Sequence, residues 1–210
     1  MLIYLLTVIG AYLLGSIPFG VLVAKAKGVD IRASGSGNIG ATNAMRVLGK
    51  PAGILVLILD ALKGYAAVKL LPVVLSKCLG DPTTAPGVLP VLAGICAVLG
   101  HNYTCWLKFK GGKGIATSAG VYLALAPLAV LIAIVVFLLA VALTRYVSVG
   151  SIAAAVALPA AVWVMTPHNL FLGIVTTALG AMAIYKHKSN IQRLRAGTES
   201  RLGQKAEMPK

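Results

Sequence analysis

Acidic side chains are the scarcest functional class in this chain: five Asp and Glu stand against 19 Lys and Arg in 210 residues. So few carboxylates exclude the acid-rich centres on which two-metal phosphoryl transferases and carboxylate-led hydrolases depend. Charge of either sign is sparse, at 11% of residues. The three cysteines, Cys78, Cys96 and Cys105, show no C-x-x-C spacing and no clustering with His or carboxylates. Neither a metal site nor a disulfide framework follows from them, and no cofactor is expected. No run alternates as a barrel strand does, so helices are the expected spanning form.

What the chain has instead is apolar length. Hydrophobic residues make up 59% of it and its mean hydropathy is +0.91. Several runs are long enough to cross about 30 Å of hydrocarbon. The fold class predicted is an all-α integral membrane protein. Spans are expected near residues 2–24, 52–71, 87–100, 149–164 and 170–185. The run 115–143 must leave and return, with Pro127 as its natural break, giving two short spans or one span plus a re-entrant piece. About seven transmembrane helices result, with the N-terminus outside and the C-terminus cytoplasmic. The first run reads as a mature span, because it lacks the basic n-region and the clear cleavage signal of a signal peptide. One transmembrane domain over 1–203 is expected, followed by a polar, disordered tail at 204–210.

A net charge of +14 suggests nucleic acid until the charges are placed. Lys25, Lys27, Arg32, Arg46 and Lys50 share one polar segment, and Lys108, Lys110 and Lys113 a second. A third, from Lys186 to the end, holds Lys188, Arg193, Arg195 and Arg201. The segments at 72–86 and 166–170 are nearly uncharged. This is the asymmetry of a multi-pass protein with its basic segments on the cytoplasmic side, so no nucleic-acid partner is inferred. Asn102-Tyr103-Thr104 matches a glycosylation sequon, but on that side it is a chance match. Asp60 and Lys63 fall within a span, three apart on one helical face, and are expected to pair as a structural device.

The cytoplasmic segments are unusually rich in glycine, hydroxyls and amides. The first contains SGSGNIGATNAMRVLGK, with a G-x-G-x-x-G at Gly35, Gly37 and Gly40. The second contains GHNYTCWLKFKGGKGIATSAG, with Gly111, Gly112 and Gly114 around Lys113. The third reads YKHKSNIQRLRAGTESR. Glycine lets backbone N–H groups approach an anion, and Arg or Lys supply the charge, so a shared anion site is expected. Nucleotide motifs fail. A Rossmann glycine loop needs a preceding strand, and here a span and a basic turn precede it. Walker A needs Ser or Thr after Gly-Lys, and Gly112-Lys113 is followed by Gly114. Acid–base candidates are few: His101, and His187 with Asn190 on the same helical face, while His168 lies in an outer segment. Asp30 and Glu199 are the plausible cytoplasmic acids. An anion transporter, with the same glycines lining a path, remains the rival reading, although no internal repeat supports it. A structural scaffold would leave the three polar motifs unexplained.

At these three motifs the sequence resembles the bacterial acyl-phosphate:glycerol-3-phosphate acyltransferases of the PlsY type, over about residues 1 to 203. The resemblance implies transfer of a fatty acyl group from acyl phosphate to the sn-1 hydroxyl of glycerol 3-phosphate. The products would be lysophosphatidic acid and phosphate, in the first acylation step of phospholipid biosynthesis. The H-x-x-x-x-D motif of other glycerolipid acyltransferases is absent: Trp106 and Gln192 stand five residues after His101 and His187. The implied site comprises Ser36, Arg46, Lys113, His187 and Asn190 as catalytic residues. Gly35, Gly37, Asn38, Gly40, Thr42, Asn43, His101, Gly111, Gly112, Gly114 and Ser148 would bind substrate phosphates. Asp60, Lys63 and Glu199 would be structural, Glu199 by pairing with Arg or Lys. Acyl phosphate, glycerol 3-phosphate and membrane lipid are the implied partners, with no protein partner required. The implied location is the bacterial inner membrane, with the site facing the cytoplasm.

Overall fold

The computed structural model of the chain describes residues 1–79 and 87–204. Residues 205–210 of the tail expected at 204–210, and residues 80–86 of the outer segment expected at 72–86, lie outside the described residues; residues 71–79 form a helix. Every regular element among the described residues is helical. Four stretches are long and apolar enough to cross a membrane: Leu2–Lys25, Val88–Leu107, Pro127–Thr144 and Val147–Met165. A fifth arises if Leu170–Lys186 and Lys188–Arg195, bent by 51° at their junction, form one broken span. The two further spans expected from sequence correspond to Lys50–Lys69, which carries Asp60 and Lys63, and to Ile115–Leu125, an apolar helix of only 11 residues. Contacts group the chain into two compact units, residues 1–125 and 126–204.

The first unit holds α1 (Leu2–Ser16), α2 (Phe19–Lys25), α3 (Ala41–Leu48), α4 (Lys50–Lys69), α5 (Leu71–Leu79), α6 (Val88–Asn102) and α7 (Ile115–Leu125). Pro18 splits the first apolar run into α1 and α2, because it offers no N–H to an upstream carbonyl. In an apolar setting the exposed carbonyls need other donors. Thr104 Oγ1 donates to Ser16 O at 2.6 Å, and Lys63 Nζ donates to Ile17 O at 2.7 Å. Helices α1 and α6 approach backbone to backbone: a Cβ on Gly15 would collide with Ala97, and one on Gly100 with the Tyr12 carbonyl. Gly64 and Gly120 let α4 and α7 approach in the same way. Small residues at helix crossings are how apolar helices pack where water provides no drive.

The second unit holds α8 (Pro127–Thr144), α9 (Val147–Met165), α10 (Leu170–Lys186) and α11 (Lys188–Arg195). Pro127 stands at the first position of α8, where a missing N–H costs nothing. Between α8 and α9 the chain reverses at Arg145, which adopts φ 66°. Trp163 Nε1 donates to Thr177 Oγ1 at 3.0 Å and joins α9 to α10, over Gly173, where no side chain would fit. After α11 the chain returns to that turn: Leu202 N donates to Arg145 O at 2.7 Å, and the Arg201 guanidinium lies 5.7 Å from the Tyr146 ring.

Candidate active site

In the first unit, the glycine pattern builds a compact loop that runs into α3. Gly35 and Gly37 have φ of 60° and 69°, the left-handed region that favours glycine. Gly40 differs, with φ −83°, and serves as the N-cap of α3. Its carbonyl accepts from Asn43 N and Ala44 N, each at 3.1 Å. Asn38 Oδ1 accepts from Gly40 N at 2.9 Å, a local turn before the helix. Gly20 on α2 meets the Ile39 carbonyl so closely that any side chain would clash, and Ile31 and Ile39 are buried with Ala24, Ala44 and Val56. The loop is therefore anchored from below while Ser36 is exposed above.

Asn43, assigned above to phosphate binding, has another task. Its Nδ2 donates to Ile31 O at 3.1 Å and to Ser34 O at 3.0 Å, and its Oδ1 accepts from Ser36 N at 2.9 Å. At 1% exposure its amide is engaged in holding the loop together, as a loop keystone. Thr42 and Arg46 remain partly accessible on α3.

The second glycine loop lies on the end of α6. Gly111 N donates to Asn102 O at 3.2 Å and Gly112 N to His101 O at 3.0 Å. A Cβ on Gly112 would strike the His101 ring, and one on Gly114 the Asn102 amide. Lys113 between them is half-buried. His101 itself is buried beneath this loop, at 4% exposure, rather than open to a ligand above it. An open groove of about 410 Å³ brings the two glycine loops together, with Asp30, Arg32, Gly37, Asn38, Lys110 and Gly111 in its lining. Arg32 and Lys110 were counted above only among the charges that orient the chain. Nothing in the spacing of a basic loop residue separates a groove wall from a topology signal. A second groove, of about 480 Å³, is lined by Ala61, Leu62, Tyr65, Gly120 and Leu123 on α4 and α7.

In the second unit a carboxylate is the organising group. Glu199 Oε1 accepts from Asn190 Nδ2 at 2.7 Å, and Oε2 accepts from Arg193 Nε at 2.7 Å. Burial alone would raise the Glu199 carboxyl above its ordinary value. The hydrogen bonds from Asn190 and Arg193, with Ser148 facing the same group and the Arg193 charge beside it, outweigh burial and hold it below that value. His187 stands at the bend between α10 and α11, its carbonyl accepting from Ile191 N at 2.9 Å. Its Nδ1 lies 2.8 Å from Ala183 O. A carbonyl can only accept, so Nδ1 carries the hydrogen and, in the neutral imidazole, Nε2 is the basic nitrogen. Bringing Asn190 and Glu199 together depends on the returning tail, which a helical repeat does not encode.

The comparisons with known proteins agree with these motifs. The family model described as Glycerol-3-phosphate acyltransferase matches residues 5–197. Curated proteins named glycerol-3-phosphate acyltransferase include one from Geobacter metallireducens, 54% identical over 96% of this chain and 98% of its own. Another, from Geotalea daltonii, is 48% identical over 92% and 94%. Among solved structures, the glycerol 3-phosphate form of PlsY (YgiH), an integral membrane glycerol 3-phosphate acyltransferase, is 41% identical. It has a TM-score of 0.84 and covers 95% of this chain and 96% of that one. The lysophosphatidic acid form of the same enzyme gives a TM-score of 0.79 at 42% identity. A match across nearly the whole length places this chain in the glycerol-3-phosphate acyltransferase family, as an integral membrane acyltransferase of phospholipid synthesis.

Proposed function

We propose that the chain transfers a fatty acyl group from acyl phosphate to the sn-1 hydroxyl of glycerol 3-phosphate, releasing 1-acyl-glycerol 3-phosphate and phosphate. The observation that carries this reading is the likeness of 95% of this chain to the glycerol 3-phosphate form of PlsY, at 41% identity and a TM-score of 0.84. Each phosphate brings about −1.5 to −2 charges at neutral pH, so two of them require dense cationic and N–H compensation. Arg46 and Lys113 are the clamps, and Ser36, Asn38, Thr42 and the backbone of Gly35, Gly37, Gly40 and Gly111–Gly114 add donors. His187, Asn190 and Ser148 hold the acceptor.

The reaction needs no covalent enzyme intermediate, because the mixed anhydride is already activated. The sn-1 oxygen attacks the acyl carbonyl carbon, the bond from that carbon to the phosphate oxygen breaks, and phosphate leaves with the electron pair. The hydroxyl proton passes to His187 Nε2 or to a phosphate oxygen of the substrate. The apolar groove between α4 and α7 suits the acyl chain, each buried CH₂ favouring it by about 0.8 kcal/mol. The proposal includes seven spans, with α4 and α7 among them, and basic loops facing the cytoplasm at the inner membrane. The test mixes purified protein with acyl phosphate and glycerol 3-phosphate and measures lysophosphatidate. Product from acyl phosphate, and none from acyl-CoA, is expected. Well-folded protein that works only with acyl-CoA would overturn the reading.

A further inference from the structure

Three ionisable side chains lie deep in the first unit and contact no substrate in the reaction just described. Asp60 and Lys63 on α4 form an ion pair of 2.8 Å, with side chains 3% and 1% exposed. His101, in the last turn of α6, places Nδ1 3.5 Å from Asp60 Oδ1. Lys63 Nζ also donates to Ile17 O at the α1–α2 break and lies 5.5 Å from the Phe19 ring. A buried ion pair seldom stabilises a fold more than well-packed apolar side chains of the same volume, so packing alone does not explain these charges.

Their geometry has a direction. From the α1–α2 break the chain of polar contacts runs through Lys63 and Asp60 to the His101 ring. Gly112 abuts the opposite, Nε2 edge of that ring so closely that no side chain could stand there. The His101 and Asn102 carbonyls accept the Gly112 and Gly111 amides. A carboxylate on one ring nitrogen fixes the rotation of an imidazole, as carboxylates do behind metal-bound histidines. Here the fixed ring forms the floor under the glycine loop that carries Lys113.

We propose that Asp60 and Lys63 are positioning residues that act through His101: they lock the imidazole on which Gly111–Gly114 rest, and so set where Lys113 is held. The inference rests on the reading of Lys113 as a phosphate clamp. It reassigns His101 from a substrate ligand to the support of one.

The test uses the full chain in nanodiscs, with three variants: Asp60→Asn, His101→Asn and the paired Asp60→Leu/Lys63→Met. The paired variant leaves no unpaired charge and so protects the test against loss of folding. Two readouts are taken: hydrogen exchange of the peptide spanning 109–114, and KM against kcat for glycerol 3-phosphate. Loss of one buried polar partner shifts an equilibrium about tenfold, so loop exchange and KM should rise about tenfold with kcat little changed. Exchange in the interior of α6 should stay at the parental rate. Parental loop exchange and KM in the paired variant would reduce the ion pair to a packing device and overturn the proposal. Failure of all three variants to fold would mark the network as a folding requirement and overturn it equally. If the parent protein lacks turnover with acyl phosphate, the functional reading fails, while the exchange measurement still decides the positioning role.

Discussion

In the first unit the buried charges sit inside apolar helices, and each is answered by another buried group: Asp60 by Lys63 and His101, Lys63 by Ile17 O as well. In the second unit the buried carboxylate, Glu199, lies past the last helix, and its cationic partner Arg193 is 34% exposed. The two arrangements follow from solvent. Where no water reaches, every charge needs protein partners, and the network must be closed. Near a surface, one partner can keep its outer face hydrated, and the network can stay open on that side. The groups proposed to meet the substrate anions differ in the same way: backbone amides on glycine loops in the first unit, side chains fastened to a carboxylate in the second.

The largest effect that would sharpen this contrast comes from the cations assigned to phosphate. Arg46→Ala and Lys113→Ala should each lower kcat/KM by about a hundredfold or more, the scale of losing one preorganised charge-stabilising donor. Both should keep the parental melting temperature, since the two side chains are only half-buried. Near-normal lysophosphatidate formation by both would remove them from the site.

A smaller effect is expected at the open network. Glu199→Gln keeps an acceptor for Asn190 but loses the charge facing Arg193, and should cost on the order of 1–3 kcal/mol. The acid side supplies the sign. The carboxyl is held low in the folded state, so its contribution is fully present above the unfolded value, about 4.3, and is lost as pH falls through the lowered folded value. Thermal melts from pH 6 downward should therefore show the parent losing its advantage over Glu199→Gln. Parallel curves would mean that Glu199 is not held ionised by its neighbours.

The smallest effect is expected at the exposed rim. Arg201 donates to Tyr146 Oη at 3.4 Å and is fully exposed, so Arg201→Ala should leave turnover and melting unchanged within error. A clear loss of activity would extend the second cluster along the returning tail.

Much of the frame was readable because its signals are local. Pro18 and Pro127 mark helix breaks by chain chemistry alone, and Asp60 and Lys63 pair because three residues bring them to one helical face. The loop contacts of Asn43 were not legible for an equally physical reason: an amide beside glycines offers the same donors to a phosphate as to a loop carbonyl. Only the fold shows that Ile31 O and Ser34 O take them. The burial of His101 beneath Gly112 was not legible, because it is a contact between helix end and loop, without a sequence period.

By itself the sequence determined the class of the protein, its apolar helices, its basic polar segments and the family to which its motifs belong. Those properties reside in composition and short-range order, which each segment carries wherever it sits. Tertiary structure alone decided that Gly35 and Gly37 turn the loop while Gly40 caps a helix. It also decided that Arg32 and Lys110 wall a common groove, and that His101 lies between Asp60 and Gly112. Those facts depend on which side chains the packed helices bring together, and partners distant in sequence are chosen by close packing rather than by any local pattern.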